Sequence, residues 1–170
     1  MVNARIMGID PGSHRTGFGI LELKGESLVH LGHGVISLED EVDFKGRLSG
    51  LNSTLQQLLE KYRPDWIVVE KMFLSKNPKT AFILGHARGV VLAQVGASQA
   101  RLAEYPPRVI KKALTGSGAS DKKEVALTLQ RLLGLPHFSH LDSSDALALA
   151  WHQSQVLLEK IKVDRASLNL

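Results

Sequence analysis

Four carboxylates occupy positions where an apolar core does not ordinarily put acids. Asp10 closes the apolar run Arg5-Ile6-Met7-Gly8-Ile9, and Glu70 closes Trp66-Ile67-Val68-Val69. Strand periodicity puts Ile6, Gly8 and Asp10 on one face, and Trp66, Val68 and Glu70 repeat the pattern. Asp142 and Asp145 lie three residues apart, directly before Ala146-Leu147-Ala148-Leu149-Ala150, so on a helix they share a face. Each acid has a plain reading of its own. Asp before Pro-Gly suits a turn, Glu70 has Lys71 beside it as an ion-pair partner, and acids in a first helical turn favour the helix dipole. Converging on one place, however, the four would repel one another and need cations. Oxygen ligands with no cysteine select hard ions, Mg²⁺ with Mn²⁺ as substitute. Two such ions about 3.5–4 Å apart activate a water and stabilise the leaving oxygen of a phosphodiester. Asp10, Glu70, Asp142 and Asp145 together would form that cage.

Positioning these acids requires strands and helices whose ends meet. Arg5–Asp10, Thr16–Lys24 and Ser27–Leu38 read as strands joined by short links, with Gly25-Glu26 as a hairpin turn, which predicts an antiparallel meander. Leu48, Leu51, Leu55, Leu58 and Leu59 recur at helical spacing, so 43–62 should be an amphipathic helix ended by Arg63-Pro64. The β-type run 66–69 then suits a strand buried on both faces and reached by a crossover, hence parallel. An Ala/Gly/Val/Leu-rich stretch from Pro78 to about Gln99 predicts a largely buried helix, Leu102–Tyr105 a fifth strand, and 121–133 and 142–160 two further helices. The sum is an α/β fold, a five-stranded mixed sheet flanked by helices, in a single domain over 1–160; residues 161–170 lack periodicity and are expected to fray.

The chain has 170 residues, 44% hydrophobic and 22% charged, which suffices for a core and excludes disorder as the main state. It shows no run of about 18 apolar residues that would span a membrane, and no secretory signal at its start. With no cysteine, disulfides, thiol nucleophiles and thiolate zinc sites are excluded. A formal charge of +4 is compatible with a polyanionic partner.

Positive charge is concentrated in one place. The loop Thr115-Gly116-Ser117-Gly118-Ala119-Ser120 leads into Asp121-Lys122-Lys123-Glu124, where Asp121 and Glu124 have capping-box spacing. Lysines in a first helical turn oppose the dipole, so Lys122 and Lys123 call for a docked anion; a solvated lysine pair is the plain alternative. With backbone N–H groups and a flexible loop beside them they describe a phosphate contact, which Lys111 and Lys112 extend. Phe73, between Lys71 and Lys76, is either a core ring or one that stacks on an unpaired base. His140, two residues before Asp142, is a weaker candidate as a base. Small residues along 81–93 leave two uses for that helix: plain burial, or one face on the sheet and the other on a symmetry mate.

Gly8-Ile9-Asp10-Pro11-Gly12, Gly17-Phe18-Gly19, Val69-Glu70-Lys71-Met72-Phe73, Gly85-His86-Ala87-Arg88-Gly89 and Asp142-Ser143-Ser144-Asp145-Ala146-Leu147-Ala148 together closely resemble the RuvC family of bacterial Holliday-junction resolvases, in order over about residues 4 to 155. The resemblance implies a ribonuclease-H-like fold and a cytoplasmic, homodimeric, Mg²⁺-dependent endonuclease that nicks opposed strands of a four-way DNA junction. It also implies work alongside the RuvAB branch-migration complex. It makes Asp10, Glu70, Asp142 and Asp145 the catalytic acids, engages Phe73 with the opened junction, and favours the phosphate reading of the lysines. Some family members carry His at the place of Asp142, so that position has the looser role. Three other readings compete with this one. A sugar-kinase-like ATPase shares the Asp10-Pro11-Gly12 turn but needs a second clamping domain. An RNA nuclease, or one acting on other branched nucleic acids, and a non-catalytic junction-binding protein are separated only by assay.

Overall fold

A computed structural model describes residues 3–39, 43–71 and 77–168. The meander forms as its turn chemistry demands: β1 (Asn3–Asp10), β2 (Arg15–Lys24) and β3 (Ser27–Ser37) pair antiparallel, with Gly25 at φ +62° between β2 and β3. α1 (Phe44–Tyr62) starts where the Asp43 side chain accepts from Gly46 N at 2.6 Å, and ends at Arg63, in left-handed geometry before Pro64. The crossover brings β4 (Trp66–Glu70) in parallel beside β1. α2 (Pro78–Ala97), with Asn77 as its cap, returns the chain to β5 (Arg101–Tyr105), parallel to β4. The sheet order is β3-β2-β1-β4-β5.

α3 (Pro107–Thr115) is a full helix where the sequence suggested only a helical turn; Gly116 at φ +84° closes it. α4 (Lys122–Leu133) starts on the expected cap, Asp121 Oδ1 accepting from Glu124 N at 2.8 Å. α5 (Leu141–Leu168) is longer than its apolar pattern. The expected fraying from residue 161 gives way to helix as far as Leu168, and Arg165 pairs with Glu26 at 3.0 Å. Periodicity fails there because residues 162–167 are exposed, so that stretch of helix has no face to bury.

Two cores sandwich the sheet. Ile6, Leu21 and Val68 pack with Leu147, Leu149 and Leu129 on the α4–α5 side. Met7, Ile9, Ile20, Ile67 and Val69 pack with Leu51, Leu55 and Val91 on the α1–α2 side. The alternation within β1 and β4 is thus the one their sequences predict. α2 departs from expectation, because only Ala87, Val91 and Val95 among its described residues are buried and Phe82 is 72% exposed. One stripe of α2 meets the sheet and the rest borders an open groove. By length and apolarity alone α2 could cross a membrane, yet its stripe packs on the sheet and its Arg88 pairs with Glu104.

Candidate active site

β1 and β4 run parallel, so their carboxyl ends, Asp10 and Glu70, emerge at one edge of the sheet. α5 begins at that same edge because two glycines let it lie directly on the strands. A Cβ on Gly8 would sit 1.8 Å from the Ala146 carbonyl oxygen, and one on Gly17 would sit 2.0 Å from that of Asp142. No side chain fits at either position, so helix and sheet reach contact distance only through glycine. The Ser143 and Ser144 hydroxyls, both buried, donate back to the carbonyls of His140 and Leu141 at 2.7 Å each and fix the first turn.

Asp10, Asp142 and Asp145 therefore converge, each offering a ligand oxygen within 4.8 Å of the others. Glu70 stands at the margin of this trio, near enough for its charge to act on Asp10 and for that of Asp145 to act on it. Burial, then the negative charges of Asp145 and Glu70, push the Asp10 carboxyl from 3.8 up to about 7. Burial also raises Glu70, seconded by Asp145. Asp145 is raised by burial too, against the pull of a hydrogen bond from Lys122.

Lys122 is where the sequence reading needs revision. Its two-lysine helix start asked for a docked anion, and in this structure the anion is the protein's own. Lys122 Nζ lies 2.6 Å from Asp145 Oδ2 and 3.6 Å from Asp142 Oδ1. Burial disfavours its charge, but Asp145, Asp10 and Asp142 outweigh that and raise its pKa. Lys111 also belongs to the acid site's surroundings, its charge acting on Glu70 and Asp145. Lys112 is exposed at the end of α3. Lys123 is exposed and borders a groove with Leu127, His137 and Phe138. His140 is exposed; its main-chain carbonyl, not its ring, serves the turn. Phe73 and Lys76 lie outside the described residues.

Three half-buried carboxylates sharing one site, with an ammonium drawn in among them, form a cage that fits a hard divalent cation. All of the donors are carboxylate oxygens, which disfavours soft metals. Asp10, Asp142 and Asp145 would hold such an ion, with Glu70 closing the side nearest β4.

Comparison with known proteins identifies the family and the fold. The profile of the family described as Crossover junction endodeoxyribonuclease RuvC matches residues 6–152. A protein of that name from Bdellovibrio bacteriovorus is 40% identical over 161 residues, covering 95% of this chain and 96% of its own. Among solved structures, Thermus thermophilus RuvC superposes with a TM-score of 0.77 at 30% identity, covering 91% of this chain and 96% of its own. T. thermophilus RuvC in complex with a Holliday-junction substrate gives 0.76 at 32% identity, covering 86% and 90%. The sheet and its flanking helices are thus the ribonuclease-H-like fold. From a family profile spanning most of the sequence, relatives at this identity, and a superposable fold, the chain belongs to the RuvC family.

Proposed function

We propose that this chain is a Mg²⁺-dependent endonuclease that resolves four-way DNA junctions by paired, symmetric nicks. The observation that carries the reading is the convergence of Asp10, Asp142 and Asp145 within 4.8 Å, with Glu70 at their margin. The name shared by its relatives supports the same substrate. Mg²⁺, two ions per site and replaceable by Mn²⁺, would supply an activated water and neutralise charge on the leaving oxygen. Asp10, deepest in the site, is the central acid; Asp145 and Asp142 hold the α5 side and Glu70 the β4 side. Lys122 holds positive charge among the acids until cations arrive, and is then free to meet a backbone phosphate. Lys111, Lys112 and Lys123 extend that contact along the DNA, and Lys76 and the Phe73 ring engage the opened junction.

A junction has two equivalent strands to cut, and a two-fold homodimer presents one site to each. The apolar groove bordered by Leu48, Ala81, Phe82, Gly85 and Gly89 supports α2 as the face that meets the second copy. The RuvAB branch-migration complex is the expected partner on DNA, and the cytoplasm the place of work. The experiment is a cleavage panel with Mg²⁺: four-way junction, linear duplex, RNA–DNA hybrid and single strand. Selective, symmetric nicking of the junction supports the reading. Preferential cleavage of the hybrid assigns the chain to RNA, and binding without cleavage makes it a junction-binding protein.

A further inference from the structure

Arg88 grips the active-site strand from behind. Its side chain is only 14% exposed, on the side of α2 that faces the sheet. Nη1 donates to the main-chain oxygen of Glu70 at 2.6 Å, and Nη2 pairs with the Glu104 carboxylate on β5. Val69 and Glu104 are register partners, so the Glu104 side chain leaves the sheet on the α1–α2 face. The Glu70 side chain leaves on the other face, toward the acid cluster.

At that point the sheet supports the strand on one side only. The β1–β4 register runs from Trp66 to Val69, one residue short of Glu70. On the other side, the β4–β5 ladder closes with Glu70 opposite Tyr105 and a last bond from Lys71 N to the Tyr105 oxygen at 2.8 Å. A strand end held along one edge can twist, and a twist at Glu70 swings its carboxylate relative to Asp10 and Asp145. A guanidinium is suited to prevent this, because its rigid planar fork holds two acceptors at a fixed separation. Burying the charge would be unfavourable without both partners.

We infer that Arg88 is a positioning residue: by clamping the Glu70 main chain to Glu104, it sets the place of the Glu70 carboxylate in the metal-holding cluster. The inference rests on the reading of Glu70 as a metal-holding acid. Outer partners that orient metal ligands are commonly worth roughly 10–100-fold in metal affinity, and a clamp acting through the main chain belongs at the low end.

The test is a Mn²⁺ titration of the full chain without DNA, following the EPR signal of free Mn²⁺, with the thermal midpoint recorded alongside. Arg88→Gln should weaken Mn²⁺ about tenfold and Arg88→Lys about threefold, since a lysine keeps the charge and its donors but not the rigid fork that fixes the two acceptors. Glu104→Gln keeps an oxygen for Nη2 and should stay within about twofold of the parent. In a Glu70→Gln background the Arg88→Gln loss should vanish, because the clamp works through Glu70. Unchanged affinity in Arg88→Gln, or an equal loss with and without Glu70, overturns the inference, whatever happens to the thermal midpoint. If Arg88→Gln does not fold, Arg88→Lys in the two backgrounds decides by the same criterion. Parental affinity in Glu70→Gln alone would instead refute the assignment of Glu70 to the cluster.

Discussion

Asp10→Asn should stabilise the metal-free protein, and by more as pH rises. The Asp10 carboxyl stands at about 7 rather than 3.8, so the folded state holds its proton more tightly than the unfolded chain does. Stability contributed by such a group is complete below the unfolded value and is lost as pH rises through the folded one. A rise of about 3 pH units, at about 1.4 kcal/mol per unit, leaves the ionised folded protein about 4 kcal/mol less stable by about pH 8. By the same reckoning the deficit at about pH 5 is about 2 kcal/mol. Asparagine has no charge to bury, so the advantage of the variant should widen by about 2 kcal/mol over that interval. For a domain of this size that is about 4–8 °C in the unfolding midpoint. The assay is thermal unfolding in EDTA at a series of pH values. Adding Mg²⁺ at about pH 8 should then stabilise the parent and leave the variant unmoved, because an ion bound only by the folded state shifts the equilibrium by mass action. A difference that is constant or shrinks with pH would refute the argument that burial and crowded charge set the state of this acid.

Other variants probe the remaining parts of the account. Lys122→Met removes the ammonium lying against Asp145, so Mn²⁺ should bind several-fold more tightly without DNA while junction nicking falls; unchanged Mn²⁺ affinity would separate Lys122 from the acid cluster. Gly17→Ala sets a methyl group 2.0 Å from the Asp142 oxygen and must push the start of α5 off the sheet, lowering the thermal midpoint and abolishing nicking. Full activity in Gly17→Ala would contradict the close approach. Phe82→Glu charges the exposed apolar groove and should leave a folded monomer in sedimentation; a dimer of parental strength would move the interface elsewhere. Phe73→Ala should bind junctions as the parent does and cut them slowly in single turnover, and equal cutting would remove Phe73 from the site.

Much of the fold could be read from the chain because local and global demands agree. The alternation in β1 and β4 divides the two cores as built, and the cap Asp121 acts where its spacing puts it. The convergence of Asp10, Asp142 and Asp145 was legible for a related reason: acids that end apolar segments must meet something other than core. In the tail and in α2 periodicity carries no information. A helix in solvent has no stripe to display, and an apolar helix looks the same whether a sheet or an open groove receives it. Lys122 shows a subtler limit. The dipole argument demanded an anion near it, but only three dimensions reveal that Asp145, 23 residues further along, supplies one. Arg88 had a signal that went unused, a single arginine among Ala, Gly and Val on a packed helix, and its partners Glu70 and Glu104 lie on two different strands. The glycines appeared as motif letters, while their purpose depends on where α5 lies.

The account stands most directly on nicking of a synthetic four-way junction under single-turnover conditions, with Mg²⁺, Ca²⁺ or EDTA, by the parent and by Asp10→Asn and Asp145→Asn. It predicts paired symmetric nicks with Mg²⁺, none in EDTA, and junction binding without cleavage by both variants. Nicking that persists in EDTA, or at the parental rate in Asp10→Asn, would contradict it.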